Sequence, residues 1–282
     1  MKNKGELNII VAAILFGAIG IVYKYLTIPP VVQNFYRFLF SATFLILIVY
    51  VRKEAIVFKK ESFINLLLIS LGIIGASVSF STAVRIIPVG TVAFIFYLFP
   101  IIIVILSGIF LNERVTKNII IALILATAGV FLLSVGDLAG GKAVTGYLLS
   151  LLAATCYSIV IIFSKKLREV YSPTYLAFLQ ALIVCILLLP ITLLTKYTLD
   201  FNSLVLLVFL GVIISGIGVI LLNTGLGQVT ANRSAVLMYI EPVATLILAI
   251  IFFKQVPGLY SLVGCGLILL ANYYIIIKGN HA

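Results

Sequence analysis

Residues 81–115 read STAVRIIPVGTVAFIFYLFPIIIVILSGIFLNERV, and residues 223–253 read NTGLGQVTANRSAVLMYIEPVATLILAIIFF. At an offset of 142, Thr82, Ala93, Tyr97 and Pro100 of the first stretch fall on Thr224, Ala235, Tyr239 and Pro242 of the second. Each stretch contains an apolar run of about 20 residues, the length of α-helix that crosses a hydrocarbon core of about 30 Å. Each also carries a proline inside that run. A proline removes a backbone hydrogen bond, and a bilayer tolerates the loss only where protein or a wet cavity lies alongside.

Similar runs fill the chain on both sides of these two. Ten segments stand near 7–26, 31–51, 62–84, 89–111, 117–136, 145–164, 173–195, 203–223, 231–253 and 258–277. Pro29, Pro30, Pro88, Pro173 and Pro257 stand where helices begin, the position at which a missing N–H does least harm. The 282 residues are 63% hydrophobic and 10% charged, with a mean hydropathy of +1.32, which excludes a soluble domain. Nothing alternates with the dyad period of a transmembrane barrel. The expected fold is an all-α polytopic membrane protein.

The net charge of +11 reads as topology rather than as a nucleic-acid surface. With the N-terminus in the cytoplasm, 13 of the 19 Lys and Arg fall on the inside, among them Lys2, Arg52, Lys59, Lys165, Arg233 and Lys278. Lys24, Arg85, Lys142, Lys196 and Lys254 fall outside, and Arg37 remains within a helix. Both termini are therefore expected to be cytoplasmic in a bacterial or archaeal plasma membrane, with the first helix kept as an anchor. Cys156, Cys185 and Cys265 lie inside apolar runs and match no metal or redox spacing, while the single histidine is His281. No cofactor or metal is expected.

The repeat extends over the whole chain. At an offset of 141, Gly5, Leu7, Ala12, Ala13, Lys24 and Leu26 fall on Gly146, Leu148, Ala153, Ala154, Lys165 and Leu167. Two five-helix units, residues 1–138 and 139–282, follow. Five is odd, so the second unit enters the membrane in the opposite sense, and two inverted repeats are the expected architecture.

Three stretches carry a resemblance: YRFLFSATFLILIVY (36–50), residues 81–115 and residues 223–253. Together they resemble the paired EamA repeats of the drug/metabolite transporter superfamily. The markers of that resemblance are Arg37, Pro100, Pro242, Glu241 and Glu113, and one departure is Gln255, where the second copy often repeats the acidic residue. The resemblance implies a ten-helix secondary transporter, probing small-molecule solutes with no enzyme chemistry.

The polar residues inside the apolar runs are the candidate site. A charge near the bilayer centre costs at least about 2.5 to 3.5 kcal/mol on insertion scales, so Glu241 and Arg37 need a reason to be there. Glu241 reads either as a proton-coupling or amine-binding group, or as a structural charge. Arg37 reads either as a carboxylate-binding group or as a helix-packing cation. Pro100 and Pro242 are expected to kink the fourth and ninth helices and to free the carbonyls of Phe96 and Met238. With Tyr97 and Tyr239 beside those carbonyls and Asn223 ending the eighth helix, a substrate cavity is expected between the fourth and ninth helices. Small residues crowd the third helix (Gly72, Gly75, Ala76) and the eighth (Gly211, Ser215, Gly216, Gly218), which suits close packing or moving elements. Gln180 occupies the position of Arg37 at an offset of 143.

The function expected is a secondary-active carrier exporting small metabolites, amino acids or drug-like compounds from a midplane cavity by alternating access, as a monomer or homodimer in the lipid bilayer. Protons are a candidate coupling ion. A passive channel or facilitator and a membrane scaffold are the alternatives; a channel would need a continuous polar ring that these apolar runs lack. No phosphate loop or hydrolase motif is present.

Overall fold

The structure, a computed structural model, describes residues 3–134, 144–254 and 257–278. The expected boundary between the two units, together with Lys2, Lys142, Gln255 and His281, lies outside these residues, as does the side chain of Lys24.

The described residues form ten helices long and apolar enough to cross a membrane. They are α1 (Lys4–Tyr23), α2 (Pro30–Val51), α3 (Lys60–Ala83), α4 (Thr91–Phe110), α5 (Lys117–Ser134), α6 (Val144–Leu167), α7 (Pro173–Leu194), α8 (Phe201–Leu226), α9 (Ala231–Phe252) and α10 (Leu259–Lys278). Ends are set by ordinary capping. The hydroxyl of Ser172 accepts the N–H of Tyr175 at 3.1 Å ahead of Pro173, and the Thr230 hydroxyl accepts from Arg233 at 3.3 Å. At the start of α8 the Asp200 carboxylate accepts the Ser203 N–H. The Ser203 hydroxyl and nearby backbone N–H groups hold that carboxyl below its usual range. Its capping contribution is thus present above the unfolded-state value and fades as pH falls through the folded one.

Four spans are interrupted in mid-course, while α3 only begins with a 3-10 turn over Lys60–Ser62. α4 breaks at Tyr97 and Leu98, so that Pro100 falls in the first turn of a new segment, Phe99–Phe110. α9 breaks at Met238 and Tyr239 and restarts as Ile240–Phe253, with Pro242 in its first turn. Both breaks follow the prolines. Two further irregularities are not marked by proline: α1 breaks at Gly17 and Ala18, and α8 is π-helical over Leu210–Gly218.

The two halves pack into one bundle with interchangeable partners. α3 lies against α6 as α8 lies against α1, α4 meets α6 as α9 meets α1, and the pairs α2 with α7 and α5 with α10 join the halves. The α5–α10 pair depends on a glycine at each side of the contact. A Cβ built on Gly129 would sit 2.6 Å from the carbonyl oxygen of Gly264, and one on Gly264 would sit 2.5 Å from that of Gly129. Gly129→Ala is therefore expected to destabilise the protein by roughly 1–3 kcal/mol, as overpacking against backbone does. Gly266→Ala, two residues from Gly264 and facing open space, should leave the melting temperature of detergent-solubilised protein unchanged or slightly raised. Equal melting temperatures for the two variants would contradict the close approach.

Candidate functional site

A chamber of about 970 Å³ lies between the halves. It reaches the end of the bundle formed by the α1–α2 and α3–α4 turns, where exposed Thr27 and Arg85 stand at its rim with Ser134 and Ala249. Its walls are aromatic and aliphatic, with Phe16, Phe80, Phe96, Tyr97 and Tyr157 prominent.

A belt of polar groups crosses the middle. Tyr97, Arg37 and the Glu241 side chain, which is partly open to the chamber, line it together, and Tyr97 and Arg37 both lie within electrostatic reach of the Glu241 carboxylate. Arg37 is only 8% exposed. Its Nη1 donates to the Tyr23 hydroxyl at 2.9 Å, its Nε donates to Ser215 Oγ, and its guanidinium carbon lies 5.2 Å from the centre of the Phe38 ring. The α1 break is part of the same construction. Losing a side chain at Gly17 lets α1 approach the Glu241 backbone, where a Cβ would come within 3.0 Å of the Glu241 carbonyl oxygen. Thr245 then bridges the two, donating to the carbonyls of both Gly17 and Glu241 at 3.0 Å.

The floor is a chain of amides and hydroxyls. Gln180 Nε2 donates to Ser164 Oγ at 2.7 Å, and Asn223 Nδ2 donates to Gln180 Oε1 at 3.3 Å. Beneath it the Asn223 carbonyl accepts from Arg168 Nε at 2.8 Å.

The end of the bundle beyond the floor is tied shut by charged groups. Asn112 takes a left-handed conformation, with φ of 53°, that ends α4 and turns Glu113 toward the second half. The Glu113 carboxylate accepts the backbone N–H groups of Ala231 and Asn232 at 2.8 and 3.0 Å, at the start of α9. Lys165 lies 4.0 Å from that carboxylate and donates to the carbonyls of Leu226 and Val229 at 2.9 and 2.6 Å, at the end of α8. Arg233 forms an ion pair with Glu6 of α1. Positive charge on helix-terminal carbonyls and negative charge on helix-starting N–H groups is the favourable arrangement for both.

The structure brings Phe96, Tyr97, Asn223, Arg37, Glu241 and Pro242 to one chamber. It does not bring Tyr239 or Met238 there: both are fully buried, and neither lines the wall. Tyr239 is a brace instead. Its hydroxyl donates to the Tyr97 carbonyl at 3.1 Å and shares a hydrogen bond of 2.9 Å with Thr127. The repeat relates Tyr97 and Tyr239 along the chain, but a chamber that reaches only one end treats the two halves differently. The expectation that Pro242 frees the Met238 carbonyl is also corrected, because the tightened turn supplies the Glu241 N–H to it at 3.0 Å. Pro100 is buried behind the wall. Tyr157 escaped sequence reading, although an offset of 141 relates it to Phe16 and both line the chamber.

Comparison with known proteins agrees with this architecture. The model of the EamA-like transporter family matches twice, over residues 3–135 and 144–277. This chain belongs to that family. The two EamA matches each cover five of the ten spans. Two proteins of Archaeoglobus fulgidus, each described as an uncharacterized transporter, are similar to this EamA-like chain. One is 29% identical over 191 residues, spanning 67% of this chain and 68% of the relative, and the other is 26% identical over 194 residues, spanning 68% of each. A solved structure described as "Crystal structure of protein" shares the fold at a TM-score of 0.86 and 18% identity, over 100% of both chains. The EamA-like protein is thus a multi-pass membrane transporter.

Proposed function

We propose that this EamA-like transporter is a secondary-active carrier that moves small metabolites, amino acids or drug-like compounds outward by alternating access, with one substrate in the chamber at a time. The observation that carries the reading is a chamber that reaches one end of the bundle while Glu113, Lys165, Glu6 and Arg233 bind the other end together. A carrier needs two closures that alternate, whereas a channel needs a continuous path. The volume suits a drug-sized solute, and the aromatic walls with one cation and one carboxylate at the belt suit an amphipathic one carrying polar ends. The two five-span units are taken as inverted copies, which gives two nearly equivalent packings and so two access states.

The excess of cations on one side supports a topology with both chain ends in the cytoplasm of a bacterial or archaeal cell and the chamber mouth outside. In a background without the native cysteines, a cysteine at Thr27 should react with an impermeant thiol reagent in intact cells, while cysteines at Lys4 and Lys278 should not. Labelling of both ends from outside would reverse the topology.

Transport itself is tested by counterflow in proteoliposomes over amino acids, nucleosides, amines and dyes. Saturable exchange of at least one class is expected, with trans-stimulation. Ion flux at channel rates, or no exchange of any class, would remove the carrier reading.

A further inference from the structure

The π-helical stretch of α8, Leu210–Gly218, contains no proline, though Gly211, Ser215, Gly216 and Gly218 leave its backbone easy to widen. Such wide turns are uncommon and concentrate at functional sites, so what the stretch touches is informative. It packs on α2 around Arg37. A Cβ on Gly211 would sit 2.7 Å from the Arg37 carbonyl oxygen and 2.6 Å from Phe40 Cβ, and Gly216 lies against the Phe44 ring. Between these two glycines, Ser215 is 2% exposed and its hydroxyl takes the Nε–H of Arg37. On the other side the Tyr23 hydroxyl donates to Asn34 Oδ1 at 3.2 Å, which leaves its oxygen to accept from Arg37.

The opposite half supplies a comparison within the molecule. Gln180 stands where Arg37 stands at an offset of 143, and the counterpart of α8 is α3, which is α-helical throughout Phe63–Ala83. Among the described residues, the wide turn occurs only opposite the arginine. Arg37 makes no ion pair among the described residues: neutral oxygens on two sides and an aromatic face hold it, and the Glu241 carboxylate acts on it only at longer electrostatic range.

We propose that Ser215 and the π-helical turn form a seat that fixes the Arg37 guanidinium against the chamber, and that the seated group selects solutes bearing a carboxylate. Ser215 is then a positioning residue acting through Arg37. This rests on the chamber being the substrate site. At the belt, where Arg37 is the one guanidinium and Glu241 is close by, a monoanion is favoured over a phosphate dianion, because the second negative charge would meet the carboxylate, and Arg85 stands away at the rim.

The test compares two probes of one skeleton, 3-phenylpropionate and 3-phenylpropylamine, for binding to the purified full chain. Wild type should bind the carboxylate. Ser215→Ala should weaken that binding about tenfold, the order expected for loss of one hydrogen bond to a charged group, and should leave the amine within about twofold. Ser215→Thr, which keeps the hydroxyl, should restore the carboxylate to within about threefold of wild type. Tyr23→Phe removes the other support and should act in the same direction, so the proposal is still tested if Ser215→Ala does not fold. Equal effects on both probes, no effect on either, or no binding of the carboxylate by wild type would overturn it. Phe96→Ala keeps the two failures apart: if it alters binding of both probes while Ser215→Ala does not separate them, the chamber stands and the seat falls. If Phe96→Ala leaves both unchanged, the chamber reading falls and the seat falls with it.

Discussion

Replacing Glu241 with glutamine is expected to lower gradient-driven accumulation at least tenfold, equivalent to about 1.4 kcal/mol, while leaving counterflow exchange within about threefold of wild type. Glutamine keeps the shape and a hydrogen-bond acceptor at the same place, so the belt remains assembled. What it loses is the ionisable carboxyl that a proton-coupled cycle would load on one leg and unload on the other. The position favours such a role. Glu241 lines the chamber with Arg37 and Tyr97 within electrostatic reach, and Thr245 and Gly17 hold its backbone. Glu241→Leu removes the acceptor as well and should abolish both activities, because Tyr97 and Arg37 are left without that partner in a low-dielectric wall. Full accumulation by the glutamine variant would make Glu241 a structural charge. Full accumulation by both variants would remove it from the cycle.

Glu113→Ala should open the end of the bundle that carries the chain termini. It deletes two charge-assisted hydrogen bonds to α9 and leaves Lys165 without its carboxylate. At about 1.5–3 kcal/mol for each such bond, the closed arrangement loses roughly 3–6 kcal/mol, enough to shift a two-state population more than a hundredfold. The readout is a cysteine at Ser164, on the chamber floor, exposed to an impermeant reagent from the side of the termini. Its labelling rate should rise by at least tenfold in Glu113→Ala and by less in Glu113→Gln, which still accepts hydrogen bonds but carries no charge. An unchanged rate would show that Glu113 caps α9 without guarding access.

Much of this molecule is legible in the chain because a bilayer leaves so few options. An apolar run of 20 residues in lipid must be a helix, and ten such runs gave ten spans with ends displaced by a few residues. The breaks at Pro100 and Pro242 were readable for the same reason: proline acts through its own covalent structure. The break at Gly17 and the π-helix at Leu210–Gly218 were not, since both depend on a partner. Gly17 yields to Glu241 and Thr245 of α9, and the wide turn of α8 sits against α2. Neither contact leaves a periodicity in the segment itself.

The site was legible residue by residue but not in its asymmetry. Repeat reasoning treats Tyr97 and Tyr239 alike, and Phe96 and Met238 alike. A chamber that reaches one end puts Tyr97 and Phe96 on its wall and seals Tyr239 and Met238 in the core. The same internal comparison, applied at an offset of 141, would have paired Phe16 with Tyr157 and found a wall residue on α6. The charged clasp beyond the floor was visible only as the acidic marker Glu113 and as loop cations, because which carbonyls and N–H groups they meet is set by how the halves dock.

Alternation of access is the central claim, and paired spin-label distances across the two ends test it most directly. One pair, at Arg85 and Ile250, spans the mouth between the first and second halves, and another, at Arg114 and Gln228, spans the opposite end between the same halves. In proteoliposomes, with and without a solute identified by counterflow, each pair should show two distances, and the fraction with a short mouth distance should match the fraction with a long distance at the other end. Single unchanging distances at both ends, or both ends long at once, would contradict a carrier of this kind.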